Sequence, residues 1–291
     1  MLPSCAGTGP PLRVGPAARH SGGVFSGLAP ARRRLLIAVL AMVTVAVVTL
    51  GVLLVVPAVR DEGRPTDQAA PGPVLLVPGY GGSTGSLAGL AAELTAAGRD
   101  TAVVPLPGDG RGDLTEASAA LGRAVDAAKE RTGATTVDVI GYSAGGVVAR
   151  LWVTSGGAAS ARRVITLGSP HHGTDLAGAA TDLVTSACPL ACQQLAPDSD
   201  LLRRLNVDET PTGPTWVSIW TDQDEVVTPP DSAVLEGAVN IEVQAVCADA
   251  VVDHGGLVGD PLVRAMVLAE LAPGDPVPLG PGDCQRLQAA G

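Results

Sequence analysis

Residues 137–150 read Val-Asp-Val-Ile-Gly-Tyr-Ser-Ala-Gly-Gly-Val-Val-Ala-Arg. An apolar strand, a Gly-x-Ser-x-Gly turn and the first turns of a helix follow one another there, which is the order of a nucleophile elbow. Gly141 and Gly145 lack the Cβ atoms that would clash where strand and helix approach closely. The pattern predicts that Ser143 is a nucleophile, with the backbone N–H of Ala144 facing a developing oxyanion. Gly, Ala and Ser are abundant in this chain, so the motif alone does not exclude a chance match.

An elbow serine needs an acid and then a histidine later in the chain. The strand-like run 215–220 is followed by Asp222 and Asp224, and the run 240–246 is soon followed by His254. Each candidate lies just beyond the C-terminal end of its strand, where open α/β sheets place their active sites. On chain order alone either aspartate fits, while His254 is the candidate base because the other histidines precede both. These are His20, His171 and His172.

At these residues the chain resembles the α/β-hydrolase family, and within it the small bacterial secreted triacylglycerol lipases and esterases. The resemblance spans about residues 73–272. Several motifs in the right order are more specific than one. They are Val77-Pro78-Gly79-Tyr80-Gly81-Gly82, the elbow at 141–146, Leu167-Gly168-Ser169-Pro170-His171-His172-Gly173-Thr174, the Asp224 loop and the His254 loop.

The resemblance implies a role for three residues of this chain. Asp224 becomes the favoured acid, because its Asp-x-Val-Val setting resembles the acid loop of lipases, whereas Asp222 reads as a solvated loop charge. Tyr80 and Ala144 would supply the two oxyanion N–H groups, both from the backbone.

Two departures from the lipase pattern stand beside the motifs. Many lipases have His-Gly where this chain has Pro78-Gly79, and a histidine before the nucleophile where it has Tyr142. The change at Pro78 concerns the support of the oxyanion loop. The change at Tyr142 concerns the wall of the acyl pocket.

Two other motifs point to different chemistry only weakly. The glycine-rich stretch 78–82 resembles a phosphate loop, but no Gly-Lys-Ser/Thr follows and the Gly-x-Gly-x-x-Gly spacing is absent. His171 and His172 are adjacent, so their side chains diverge, and neither His-Glu-x-x-His nor Cys-x-x-Cys occurs. We expect no metal and no organic cofactor, and a structural role for these two histidines.

Ser143, His254 and Asp224 together predict a serine carboxylic ester hydrolase of the lipase or esterase kind, acting on a neutral ester through an acyl-enzyme. Two alternatives remain from the sequence. One is an acyltransferase or thioesterase with the same triad, and the other is a non-catalytic surface-binding module with a hydrolase shape.

The uncharged stretch over residues 35–59 consists mostly of Leu, Val, Ala and Ile. It is long enough to span a bilayer, and residues 1–34 carry five arginines and no acid. The positive-inside rule then predicts a cytoplasmic tail over 1–34, a transmembrane signal anchor over 35–59 and an extracytoplasmic catalytic domain. Cleavage near residues 56–58 would give a secreted protein instead.

Cysteine usage and charge agree with export. Four cysteines follow the apolar segment, and of the three possible pairings we favour Cys188 with Cys192 and Cys247 with Cys284. The net charge of the chain is −10. Because nucleic-acid binding calls for basic patches, the acidic balance argues against a nucleic-acid partner and fits a neutral ester better than an anionic substrate.

A linker over residues 60–72, one domain over 73–272 and a Pro/Gly-rich tail over 273–291 complete the predicted organisation. Strand-like runs alternate with helical patterns, which predicts an α/β-hydrolase fold whose parallel-type sheet has helices on both faces. The predicted strands are 74–78, 101–105, 137–141, 163–168, 215–220 and 240–246. The predicted helices lie near 85–98, 114–131, 144–155 and 258–271. The insertion over 174–214 is expected either to line or cover an acyl pocket, or to pack as ordinary core.

Overall fold

The computed structural model describes residues 29–61, 65–183 and 188–291. The chain divides into two compact units, Met1–Pro57 and Ala58–Gly291. The second unit contains all the predicted site residues.

Helix α1 (Pro30–Asp61) is the first element of the chain. Within the part of the chain that the structure describes, no helix is long and apolar enough to cross a membrane. The structure does not support the transmembrane segment predicted over residues 35–59. Most of the predicted tail over 1–34 lies outside the described residues.

A six-stranded parallel sheet forms the centre of the second unit, as predicted. Its order is β2-β1-β3-β4-β5-β6, and all five pairings are parallel. β1 is buried throughout and reads as a continuous apolar run rather than as an alternating one. β3 and β4 are also buried nearly throughout, although β3 contains Asp138 and β4 contains Arg162 and Arg163. The strands are β1 (Val74–Val77), β2 (Thr101–Val103), β3 (Val137–Tyr142), β4 (Ala161–Leu167), β5 (Thr215–Trp220) and β6 (Val239–Glu242).

Helices pack on both faces of this sheet. On one face, α3 and α4 contribute Leu121 and Val147 to a cluster that includes Val139 of β3. The other face is covered by α2 and α9, whose apolar side chains pack against Ile140 and Ile165. The helices of the second unit are α2 (Ala88–Ala96), α3 (Leu114–Thr132), α4 (Ala144–Trp152), α5 (Asp175–Leu183), α6 (Leu190–Gln194), α7 (Asp200–Leu205), α8 (Val243–Val246), α9 (Pro261–Glu270) and α10 (Cys284–Ala290).

In the insertion over residues 174–214, helices α6 and α7 pack as part of the core. Helices α6 and α7 bury Ala191, Leu202 and Leu205 in the same cluster as α3 and α4. Leu176, at the start of α5, is instead exposed. Of the two readings of this insertion, core packing holds for α6 and α7.

Strand β6 and the C-terminal segment differ from the prediction. Strand β6 ends at Glu242, and residues predicted to extend it form the helical turn α8. Val243 and Val246 are both buried, and their three-residue spacing suits one face of a helix. The tail predicted over 273–291 ends in helix α10, which buries Leu287.

Both favoured cysteine pairings are present in the structure. Cys188 is bonded to Cys192, and Cys247 to Cys284. The second bridge joins the first residue of α10 to the residue after α8, so it holds the C-terminal segment against the domain.

Candidate active site

Ser143 lies between the end of β3 and the start of α4. Its φ of 53° and ψ of −127° are unusual for a residue with a side chain, and such strain is typical of an elbow serine. The turn is fixed from both sides. The Ser143 N–H donates to the carbonyl of Leu167 at 2.8 Å, and a Cβ on Gly145 would overlap the carbonyl of Val77. The local geometry is therefore that of the predicted nucleophile elbow.

His254 connects Ser143 to Asp224 through hydrogen bonds. His254 Nε2 lies 3.1 Å from Ser143 Oγ, and His254 Nδ1 lies 2.7 Å from Asp224 Oδ2. The other carboxylate oxygen of Asp224 accepts from the N–H groups of Val226 and Val227 at 2.9 and 2.8 Å. All three side chains are buried. Asp224 is thus held in one orientation by its own loop while it faces the histidine.

The neighbouring acids of the Asp224 loop point elsewhere. Asp222 and Glu225 are exposed, and the N–H of Asp222 donates to Gln244 Oε1 at 3.2 Å. The structure therefore brings Asp224, and not Asp222, to His254.

Tyr142, which precedes the elbow serine, contacts His254. Its hydroxyl donates to the carbonyl of His254 at 3.2 Å, and the two ring centroids are 5.2 Å apart. Burial raises the pKa of Tyr142 to about 12, and the charges of Asp224 and Asp253 add to the effect. The phenol therefore stays a donor at neutral pH and supports the His254 loop, a role that the sequence did not indicate.

The two predicted oxyanion donors flank Ser143. Ala144 is the first residue of α4, where the helix dipole favours negative charge. The Tyr80 loop also reaches the serine, since a Cβ built on Gly79 would lie 2.9 Å from Ser143 Cβ. Neither the Tyr80 nor the Ala144 N–H has an acceptor among the residues the structure describes. The role of both amides as oxyanion donors stays a prediction.

His171 and His172 join the loop after β4 to other segments. His171 is fully buried, and its Nε2 lies 3.1 Å from Thr166 Oγ1. Burial holds the pKa of His171 well below its ordinary value, so the ring is neutral. His172 lies 2.8 Å from Glu209 Oε1 through Nε2 and 3.2 Å from the Ser232 carbonyl through Nδ1. Neither ring is hydrogen-bonded to Ser143.

Comparisons with known proteins agree with this architecture. Residues 120–254 match the class 2 lipase family. Aspergillus fumigatus lipase B is similar in structure, with a TM-score of 0.60 and 20% identity over 76% of this chain and 56% of that chain. For Bacillus licheniformis lipase BlEst2 in its mature form, the TM-score is 0.56 and the identity 19%, over 72% of this chain and 94% of that chain. The propeptide form of the same lipase has a TM-score of 0.58 at 19% identity, over 74% of this chain and 54% of that chain. This chain thus spans little more than half the length of lipase B and of the propeptide form.

No curated protein sequence matches the chain. The fold and the family match nevertheless confirm the predicted resemblance: the chain has the α/β-hydrolase fold and is similar to the lipases and esterases that share it.

Proposed function

We propose that this protein hydrolyses neutral carboxylic esters through a triad of Ser143, His254 and Asp224. The observation that carries the proposal is the continuous hydrogen-bonded chain from Ser143 Oγ through His254 to Asp224. A serine placed on an elbow and bonded to an oriented histidine is the arrangement that acyl transfer requires.

His254 acts as general base when Ser143 Oγ attacks the ester carbonyl. Asp224 fixes the histidine tautomer and stabilises the imidazolium. The N–H groups of Tyr80 and Ala144 bind the tetrahedral oxyanion, and each such donor contributes about 10²–10³ in rate. The alcohol leaves with the proton held on His254, and an acyl-enzyme remains. Water then gives a proton to His254 and attacks the acyl group, which releases the acid and restores Ser143.

A fluorophosphonate probe tests the nucleophile directly. We expect the probe to label the wild-type protein at Ser143, and we expect Ser143→Ala to lose both the labelling and the hydrolysis of short-chain and long-chain esters. Ser169→Ala is the matched control, because Ser169 is buried nearby and contacts the Gly141 carbonyl rather than His254. Labelling that persists in Ser143→Ala would place the nucleophile elsewhere.

We further propose that the hydrolase acts outside the cytoplasmic membrane, tethered by residues 35–59. The uncharged length of this segment and the arginines before it support the proposal. Protease added to intact cells should remove the domain from the membrane fraction. A mature protein in the medium that begins near residue 59 would instead mean that the segment is a cleaved signal.

A further inference from the structure

Residues 78–82, here called the oxyanion loop, are supported by a second loop. This support loop comprises residues 106–113 and connects β2 to α3.

Three contacts join the support loop to the oxyanion loop. The N–H of Gly81 donates to the Gly110 carbonyl at 3.4 Å. Gly110 has a φ of 69°, and a Cβ there would collide with the backbone of Gly82, so only glycine allows this approach. The guanidinium carbon of Arg111 lies 5.6 Å from the ring centroid of Tyr80. The backbone that carries the Tyr80 N–H is therefore held by the support loop through both the Tyr80 ring and the residues that follow it.

Helix α6 holds the opposite side of the support loop. The Ala191 N–H donates to the Arg111 carbonyl at 3.1 Å. Gln194 Oε1 accepts from the Leu114 N–H at 2.8 Å, while Gln194 Nε2 donates to Asp113 Oδ1 at 2.7 Å. The hydrogen bond from Gln194 is the largest cause that holds the pKa of Asp113 below its ordinary value. One amide thus binds both Asp113, the last residue of the support loop, and Leu114, the first residue of α3.

Helix α6 is itself firmly anchored. The Cys188–Cys192 bridge bonds the third residue of α6 to the segment just before the helix. Ala191 is fully buried in the core cluster. The neighbouring Gln193 donates to the Cys188 carbonyl at 2.8 Å, so its side chain binds within its own segment. Helix α6 therefore contacts the support loop, and the support loop contacts the oxyanion loop that carries Tyr80.

We propose that Gln194 is a positioning residue, which holds the Tyr80 N–H in place for the oxyanion by fixing the support loop. The proposal rests on the proposed function, since it assigns a task to a residue outside the triad. An oxyanion donor acts on the charge that develops in the transition state, and misplacing it affects turnover more than ground-state binding. Gln194 acts on the donor through the support loop, so its loss should displace the donor without removing it.

The test compares Gln194→Leu with Gln193→Leu, a matched control on the same helix. Since removing an oxyanion donor outright costs about 10²–10³ in rate, we expect its displacement in Gln194→Leu to lower kcat about tenfold, with KM changed less than about twofold. A trifluoromethyl ketone forms a tetrahedral adduct with the serine and should bind Gln194→Leu about tenfold more weakly than wild type. Gln193→Leu should keep wild-type values of all three quantities.

Unchanged kcat in folded Gln194→Leu, or an equal loss in Gln193→Leu, would overturn the proposal. If circular dichroism shows Gln194→Leu unfolded, Gln194→Glu decides instead. It keeps an acceptor for the Leu114 N–H but faces the Asp113 carboxylate, and wild-type kcat in that variant overturns the proposal. Wild-type protein that hydrolyses no ester and takes no fluorophosphonate label would refute the proposed function itself, which is a different result from an active enzyme indifferent to Gln194.

Discussion

Strands β3 and β4 have polar groups at both ends, and the two ends differ in how those groups are hydrogen-bonded. At the N-terminal ends, the charged groups Asp138 and Arg162 are fully buried and bound to each other. At the C-terminal ends, Ser143 lies on a strained turn, and the nearby N–H groups of Tyr80 and Ala144 have no acceptor among the described residues. The polar groups of the N-terminal end are satisfied within the protein, whereas those of the C-terminal end include the residues that we propose to act on a substrate.

The N-terminal end is a closed network. Arg162 Nε and Nη2 donate to the two oxygens of Asp138 at 2.6 and 2.8 Å. Arg99 also donates to Asp138 and, at 2.6 Å, to the carbonyl of Gly72. Arg162 donates further to the carbonyls of Gln68 and Leu271 at 3.1 and 3.0 Å. The network thereby attaches the segments before β1 and after α9 to the sheet.

This difference separates the energetic roles of the two ends. A buried ion pair with all its donors satisfied makes rearrangement costly, because removal of one partner leaves an uncompensated charge. A backbone donor without a partner does not stabilise the fold, but it can bind a charge that develops during a reaction. We therefore expect substitutions at the C-terminal end to affect turnover and those at the N-terminal end to affect stability.

The largest expected effect is at the C-terminal end, with Asp224→Asn. The amide keeps the volume of the carboxylate but favours the wrong histidine tautomer, and in a serine protease triad this change lowers turnover about 10⁴-fold. We expect a similar loss here with the circular dichroism spectrum unchanged. Asp222→Asn is the matched control and should retain nearly full activity, because Asp222 is exposed. Collapse of activity in Asp222→Asn alone would move the acid by two residues.

The N-terminal end should show the converse behaviour in Arg162→Met. Loss of the guanidinium leaves Asp138 buried with only Arg99 as its ionic partner, and breaking a buried pair in this way costs about 3–5 kcal/mol in the free energy of unfolding. Urea denaturation measures this loss, while kcat per folded molecule should stay at the wild-type value. Arg203→Met is the control, since its pair with Asp200 is exposed and should contribute less than about 1 kcal/mol. A lower kcat with unchanged stability would contradict the separation of the two ends.

The C-terminal end was largely predictable from the sequence because its signals are local. The elbow, the Asp224 loop and the His254 loop each follow a strand-like run directly or within a few residues. Parallel strands bring their carboxyl ends to one edge of the sheet, so three separate segments were expected to converge. Whether the converging residues perform the proposed chemistry stays a prediction.

The N-terminal network was not predictable, because its partners are far apart in sequence. Arg162 lies 24 residues from Asp138 and 94 from Gln68. Strand β4 begins at Ala161, two residues before the predicted start, since two successive arginines do not read as buried strand. The role of Gln194 could not be predicted for the same reason. Its amide binds Leu114 and Asp113, which precede it in the sequence by 80 and 81 positions. Such pairings depend on tertiary packing, which the local pattern does not specify.

The smallest expected effect concerns Glu270, whose carboxyl group lies close to the N-terminal network. Arg163 donates to the Glu270 carbonyl, while Glu270 Oε2 has no partner among the described residues. Burial raises the pKa of this carboxyl group to about 7. The folded state therefore binds a proton more tightly than the unfolded state does. The associated stability is fully present below the ordinary pKa of a glutamate and is lost as the pH rises through about 7.

Glu270→Gln removes this titration. The variant tests whether the N-terminal end of the sheet contains a charge that is not compensated. We expect the variant to melt a few degrees above wild type at pH 8, a gain of about 1 kcal/mol, since the buried group no longer has to ionise. At pH 5 the two proteins should melt at nearly the same temperature, because Glu270 is then protonated in the folded state. Glu236→Gln, on the surface, controls for the loss of one negative charge. Equal differences at both pH values would show that Glu270 does not titrate in this range, and that the N-terminal end is fully compensated.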